Sequence, residues 1–345
     1  MATLVVSDLH LGGRSGVDVL QDRERRAALL EALDGVERLV LLGDVLELRH
    51  GPVREALERA RPVVEELGRR VDEVVITAGN HDHALVAGWL ERIARDGPAQ
   101  LGLEQRIDPV EASHAAARLA EWLGPRTSVA YPGLWLRDDV YATHGHYLDL
   151  HSTVPTFERL GAGMTTRLVG DLPPRATPGD YEARLAPVYA WVDAIAAWSP
   201  DGRAAGGADS AARAYRTLTG GRRGVRGKLL AGALPLAIAG VNRAGFGPVR
   251  ADLSGDAIRA ASLRAMHEVC GRLGLGTAHV IFGHSHRTGP LPGDDPLEWG
   301  RLVNCGSWVL ETHFMQQPAP HNPYWPGGAV RVEADGAPRL ERLLG

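Results

Sequence analysis

Lysine is almost missing from this chain: Lys228 is the one lysine among 38 basic residues, and with 42 glycines the composition reads as a genome bias toward arginine, alanine and glycine. Cysteine is nearly as scarce. Cys270 and Cys305 are the two in the sequence, too few for a disulfide framework and suited, as unpaired thiols, to a reducing compartment. Long hydrophobic runs are also lacking. No uninterrupted apolar stretch approaches the ~20 residues that span a bilayer. The first apolar run begins at Leu4, which leaves no room for a signal peptide, so a cytoplasmic location is expected. There is no cationic excess either. A net charge of −4 gives no footprint for bulk or duplex nucleic acid. Gly12-Gly13-Arg14-Ser15-Gly16 lacks the Lys-Ser/Thr ending of a phosphate-cradling P-loop and reads as a loop at the mouth of a site. No internal repeat is evident.

What the chain does contain is metal-ligand chemistry, delivered five times in one kind of place. Asp8-Leu9-His10, Gly43-Asp44, Gly79-Asn80-His81-Asp82, His144-Gly145-His146 and Gly283-His284-Ser285-His286 each follow a short apolar run. Those runs, Leu4–Ser7, Leu39–Leu42, Val74–Thr77, Val140–Thr143 and His279–Phe282, read as buried parallel strands. Open α/β sheets gather ligands at the carboxyl ends of their strands. Taken singly, each motif is explained as well by a turn or a surface loop. Five in series, each directly after a strand, point to a metal site. Oxygen and imidazole donors suit Mn, Fe, Zn or Co, and the lack of Cys in the set argues against a structural zinc.

The order Asp-x-His, Gly-Asp, Gly-Asn-His-Asp, His-Gly-His, Gly-His-x-His resembles the calcineurin-like metallophosphoesterase superfamily, over roughly Met1–Leu150 and again His279–Asp335. Gly43-Asp44-Val45-Leu46-Glu47 and Asn304-Cys305-Gly306-Ser307-Trp308 further resemble the branch of UDP-2,3-diacylglucosamine pyrophosphatases. That branch carries Arg after the Asn of the third motif, where this chain has His81. The resemblance implies an α/β fold: a four-layer αββα sandwich of two mixed sheets. It implies two divalent metal ions, manganese first among Fe, Zn, Co and Mg, with Asp8, His10, Asp44 and His286 on one and Asp44, Asn80, His144 and His284 on the other. Asp44 is the expected bridge, since a carboxylate offers two charged oxygens. The implied reaction is hydrolysis of a P–O bond by in-line attack of metal-bound hydroxide.

His81 is the expected catalytic group, protonating the departing oxygen or steadying charge on phosphorus. Asp82 is expected either to fix the His81 tautomer by a hydrogen bond or to cap the helix Ala84–Ala94. His146 and Asp149 are expected to support a ligand or touch substrate, with a surface loop as the alternative. Glu47 either orients a ligand or begins a solvated helix. His50, His83, His151 and His313 are left outside the site, and Asn304–Trp308 is read as a buried turn beneath it.

Further helices are expected over Gln21–Leu33, Val53–Leu67, Glu111–Leu123, Tyr181–Trp198 and Ala257–Leu273, and strands over Leu134–Arg137, Leu302–Asn304 and Ala329–Glu333. The alternation breaks from 151 to 275. The organisation expected is therefore a core of 1–150 and 276–345 with a helical insertion, 151–275, that leaves and re-enters beside metal motifs and caps the site. Within it, Asp201–Asp209 reads as a loop. The basic run Arg222–Lys228 beside apolar Leu229–Val241 offers peripheral membrane contact as a secondary reading. The expected substrate is a phosphorylated small molecule or a lipid-linked or nucleotide-linked pyrophosphate. A metal-dependent nuclease or phosphodiesterase, and a non-catalytic scaffold on the same fold, are the competing classes.

Overall fold

The computed structural model describes residues 2–95, 100–198, 235–252, 254–312, 315 and 319–345. It is a mixed α/β fold built on one hydrogen-bonded path of strands: β1 Thr3–Val6, β2 Arg38–Leu42, β3 Glu73–Thr77, β4 Glu104–Ile107, β5 Thr127–Arg137, β6 Val140–Thr143, β7 His279–Phe282, β8 Leu302–Asn304, β9 Gly328–Val332 and β10 Arg339–Arg342. Their order is β10-β9-β1-β2-β3-β5-β6-β7-β8, with β4 on β5. The five motif-bearing strands run parallel to their neighbours among β1, β2 and β3 and between β6 and β7, and they are buried along nearly their whole length. Continuous apolar runs are what a sheet covered on both faces requires.

The long strand β5 changes partners midway. Thr127–Val129 pair with β3, while Gly133–Arg137 pair with β6. This switch brings the third motif and the fourth to one edge. One apolar cluster lines β1–β3 and the helices α1 Arg23–Ala32, α2 Val53–Gly68, α3 Ala84–Ile93 and α5 His114–Leu123. A second lines β6–β8. A third joins Val5, Val40 and Val75 to Leu134, Ala142, Ile281 and Val303, and so unites the two ends of the strand path.

Local chemistry explains most boundaries. Asp22 caps α1, its carboxylate accepting from the Glu24 and Arg25 N–H groups. Ala56, Leu57, Ala60, Val63, Val64 and Leu67 form the buried stripe of α2. The single helix expected over Glu111–Leu123 is divided: α4, Pro109–Ala112, ends where Ser113 turns extended and caps α5 through its hydroxyl. Strands β4 and β10 carry mostly polar residues, as edge strands do.

Between β6 and β7 lie α6 Phe157–Val169, α7 Pro178–Trp198, a helix at 235–243 and the helix Gly255–Leu273. α6 carries no strong apolar stripe and was not expected. Tyr181, Leu185 and Tyr189 of α7 pack with Met266, Val269 and Cys270 and with Val280 and Phe282 of β7. Trp191 of α7 is 55% exposed and lies outside this buried face. Asp201–Asp209, Arg222–Lys228, the first part of Leu229–Val241 and His313 lie outside the described residues. Among the described residues, no helix is long and apolar enough to cross a membrane.

Candidate metal centre

Five non-glycine residues of the described chain have positive φ: Asp8 (56°), His10 (46°), Asp44 (49°), His284 (65°) and His286 (55°). All five come from the metal motifs. A left-handed backbone at such residues costs about 1–3 kcal/mol each. It is offset here by a mesh of bonds between loops. The Asp8 N–H donates to Gly43 O at 3.1 Å, the His10 N–H to Asp44 O at 2.9 Å, and the His284 N–H to Asp8 Oδ2 at 3.0 Å. Gly79 has to be glycine on this edge, because a Cβ there would strike Asp44 Oδ1.

The mesh aims four imidazoles inward. Each is held from behind at one ring nitrogen. His10 Nδ1 meets Glu47 Oε2 at 3.1 Å, His286 Nδ1 meets Glu311 Oε2 at 2.7 Å, His144 Nδ1 meets Leu42 O at 3.0 Å, and His284 Nε2 meets Asp149 Oδ1 at 3.1 Å. Carboxylate and carbonyl oxygens only accept, so those nitrogens carry the protons of neutral rings. The other nitrogens then present lone pairs to more acceptors. His10 Nε2 and His286 Nε2 are 3.3 Å apart, His144 Nε2 is 3.2 Å from Asn80 Oδ1 and 3.4 Å from Asp44 Oδ2, and His284 Nδ1 is 2.9 Å from Asn80 Oδ1. Asp8 Oδ1 is buried without a hydrogen-bond partner and lies 3.2 Å from His286 Nε2. Lone pairs facing lone pairs in a buried site require a cation, or protons in its place.

The ionisation equilibria follow from that geometry. Burial alone would raise the Asp8 carboxyl, but His144 and His286 pull it down to about 2. Burial is outweighed at Asp44 too, where His144 and His81 hold the carboxyl well below its ordinary range. Burial would depress His144; Asp44 and Asp8 lift it to about 9. His286 is raised well above its ordinary value because Glu311 and Asp8 overcome burial. The carboxylates thus stay charged and the rings take up whatever positive charge is on offer.

Three groups of residues among those described can hold a metal ion: Asp8, His10 and His286; His10, Asp44 and His81; and Asp44, His144 and His284, each with ligand atoms within 4.8 Å of one another. The structure therefore brings together all seven residues expected as ligands, Asn80 included. Glu47 is buried and oriented toward two rings, His10 and, at 2.8 Å, His81 Nδ1. Asp149 supports His284, as noted above. His146 is buried, its Nε2 3.4 Å from the Tyr131 hydroxyl. Asp82 differs from both expectations. It neither touches His81 nor caps α3 with its side chain; its oxygens accept from the Gly79, Asp44, Val45 and Leu46 N–H groups, at 2.7, 3.2, 2.8 and 3.2 Å. A buried carboxylate with four backbone donors braces the Asp44 loop, and the partner of His81 is Glu47.

Sequence reasoning passed over several groups. Glu311 sits in a segment with no motif. His83, set aside as a bystander, is buried with Nε2 3.2 Å from Glu182 Oε2 of α7. Glu182 Oε1 also accepts from Tyr131 at 2.5 Å and Tyr147 at 2.7 Å. Arg49 pairs with Glu158 of α6 at 2.8 Å. The available signal was the density of polar residues within and just after three of the five motifs, at Glu47–His50, His81–His83 and His144–Asp149.

A family model described as calcineurin-like phosphoesterase matches residues 1–189, more than half of the 345-residue chain. No curated protein matches the chain.

Proposed function

The chain belongs to the calcineurin-like phosphoesterase family, and from that premise we propose that it is a dinuclear metal-dependent hydrolase of a phosphate ester or anhydride. The observation that carries this reading is the set of four imidazoles clamped from behind, with their free nitrogens converging on Asp8, Asp44 and Asn80. Asp8, His10, Asp44 and His286 would hold one ion, and Asp44, Asn80, His144 and His284 the other, with manganese the first choice. Bound there, two divalent ions supply a water of lowered pKa and neutralise charge on the phosphate.

The chain's own residues supply the rest. With Nδ1 on Glu47, His81 has Nε2 free to pass a proton to the departing oxygen. Burial depresses its affinity for that proton, and the negative charge of an arriving phosphate restores it. Glu47 ties this proton donor to His10, so one carboxylate sets both rings. Asn80 contributes a neutral oxygen, which limits the negative charge an anionic substrate must meet.

We read the strand path as two mixed sheets stacked through the third apolar cluster and hinged at β5, with helices outside, the four-layer arrangement of the family. Residues 1–150 and 276–345 would form the core and 151–275 the insertion, whose α6 and α7 reach the site loops through Glu158 and Glu182. The substrate proposed is a phosphorylated small molecule or a nucleotide-linked or lipid-linked pyrophosphate. Two buried free cysteines fit a reducing, cytoplasmic setting.

The test is metal content and hydrolysis after loading with Mn, Co, Fe, Zn or Mg, across phosphomonoester, phosphodiester, pyrophosphate and single-stranded DNA substrates. Two metal equivalents per chain and metal-activated hydrolysis are expected. A folded chain that binds no metal and hydrolyses none of them would rule the proposal out. Preference for single-stranded DNA would favour a nuclease.

A further inference from the structure

Arg49 holds two buried N–H groups that no described residue uses. It stands two positions after Glu47, and its backbone N–H donates to Glu47 Oε1 at 3.0 Å. Its side chain leaves the site loop for the insertion, where Nη1 donates to Glu158 Oε1 of α6 at 2.8 Å. Nε and Nη2 are buried without hydrogen-bond partners, and so is Nδ1 of the adjacent His50. Arg49 itself is only 5% exposed. Its guanidinium lies 5.9 Å from the centre of the Tyr189 ring of α7, whose buried phenol oxygen is also without a partner. An unmade buried hydrogen bond costs about 1–3 kcal/mol, more for a charged group. Two such N–H groups on one buried guanidinium mark a polar site that is incomplete.

The chemistry of the missing group follows from the donors. A guanidinium with two adjacent free N–H groups takes paired oxygens of one anion, and a phosphoryl group fits that fork. A guanidinium has no lone pair to offer a metal, and Arg49 is anchored on Glu158 of α6. Its backbone is nevertheless tied to Glu47, the carboxylate that meets His81 at 2.8 Å. Its ligand therefore lies beside His81 but is not the group held among the ligands.

We propose, resting on the phosphoesterase reading, that Arg49 binds a second phosphoryl group, attached to the one that reacts, through Nε and Nη2, while Glu158 keeps its place on Nη1. Arg49 is then a specificity residue, and Glu158 of α6 positions its guanidinium.

The experiment is calorimetric titration of metal-loaded, full-length protein with imidodiphosphate, which has two phosphoryl groups, and with orthophosphate, which has one. The wild type is expected to prefer imidodiphosphate. Arg49→Met should weaken imidodiphosphate by roughly 10–100-fold, the size expected for lost bonds to a charged group, and change orthophosphate by less than about threefold. Glu158→Gln removes a negative charge beside Arg49 and should tighten imidodiphosphate about two- to tenfold; this variant carries the test if Arg49→Met does not fold. Persistence of the wild-type preference in Arg49→Met, equal loss for both anions, or unchanged or weaker imidodiphosphate binding in Glu158→Gln would overturn the proposal. Metal content of the same samples reads the phosphoesterase proposal separately: a chain without metal fails that reading, while the anion preference and its response to Arg49 and Glu158 are still measured.

Discussion

The Nε2 atoms of His10 and His286 lie 3.3 Å apart, with the opposite nitrogen of each ring tied to a buried or half-buried carboxylate, Glu47 and Glu311. Two neutral imidazoles do not choose this separation by themselves, and a cation between them relieves it. Metal should therefore stabilise the fold as well as supply chemistry. Saturation at 100 times the dissociation constant adds about 2.7 kcal/mol for one site. Thermal unfolding of manganese-loaded and chelator-treated protein checks this, with a higher melting temperature expected for the loaded form. Coincident curves would show that these rings are not poised for an ion.

Glu47 and Glu311 perform the same service for His10 and His286, but Glu47 alone also holds His81. Glu47→Gln and Glu311→Gln should each weaken metal binding about 10–100-fold. They should part company at saturating manganese. Glu311→Gln should recover most of its turnover there, whereas Glu47→Gln should stay low because His81 has lost its anchor. Full recovery of both variants would reduce Glu47 to a support for the metal.

His81 and Asp82 are neighbours with different work. His81→Ala should leave metal content nearly intact and lower turnover about 10²–10⁴-fold, with the smallest loss on substrates whose leaving groups need no proton. Asp82→Ala should instead strip the brace from the Asp44 loop. Several buried N–H groups would lose their acceptor, at about 1–3 kcal/mol apiece. The variant should melt lower and bind less metal, and the turnover it retains should depend on leaving group as in the wild type. A stable, metal-replete but slow Asp82→Ala would return that residue to the reaction itself.

Acid should loosen the packing around α7 in two windows, through His151, which meets Tyr181, and through Glu182. Burial and nearby Arg272 lower His151 to about 4, from 6.5. Between those values the unfolded chain takes a proton that the folded chain refuses, so the contribution is complete above pH 6.5 and is lost as pH falls toward 4. Its size is on the order of 2–3 kcal/mol. Burial would raise Glu182, but His146 and His83 hold it far below its ordinary 4.5. Its contribution is present above pH 4.5 and is lost on further acidification. Denaturant unfolding of the metal-free chain from pH 8 to 3 tests this. His151→Gln should flatten the upper window relative to wild type, and Glu182→Gln the lower one. Parallel profiles for wild type and both variants would remove these residues from the acid response.

Much of the site could be read before any coordinates because its ligands follow strands whose apolar runs are unmistakable. Val140–Thr143 and His279–Phe282 were expected with the bounds observed. The strand bearing Asp8 and His10 is offset by one residue from the expected Leu4–Ser7. What escaped was whatever depends on contacts distant in sequence. Glu104–Ile107 is polar and becomes a strand only because β5 offers an edge. Glu311 has no local pattern, and its role exists only where the chain returns to His286. Asp82 misled for a related reason: its sequence neighbour is His81, but its hydrogen-bond donors come from Gly79 and from a loop 36 to 38 positions earlier.

The first strand, β1, is flanked by β2 on one side and by β9, Gly328–Val332, on the other. A ribosome delivers Asp8 and His10 well before His286 and Glu311, with 276 positions separating the two facing rings. The nascent chain must therefore carry half of a chelating cluster, with one edge of β1 uncovered, until β9 has emerged. Prematurely terminated products would have no working fraction of the site and an open strand edge in its place, a template for aggregation. Emergence of one late stretch, His284 to Val332, would both complete the cluster and cover the strand edge.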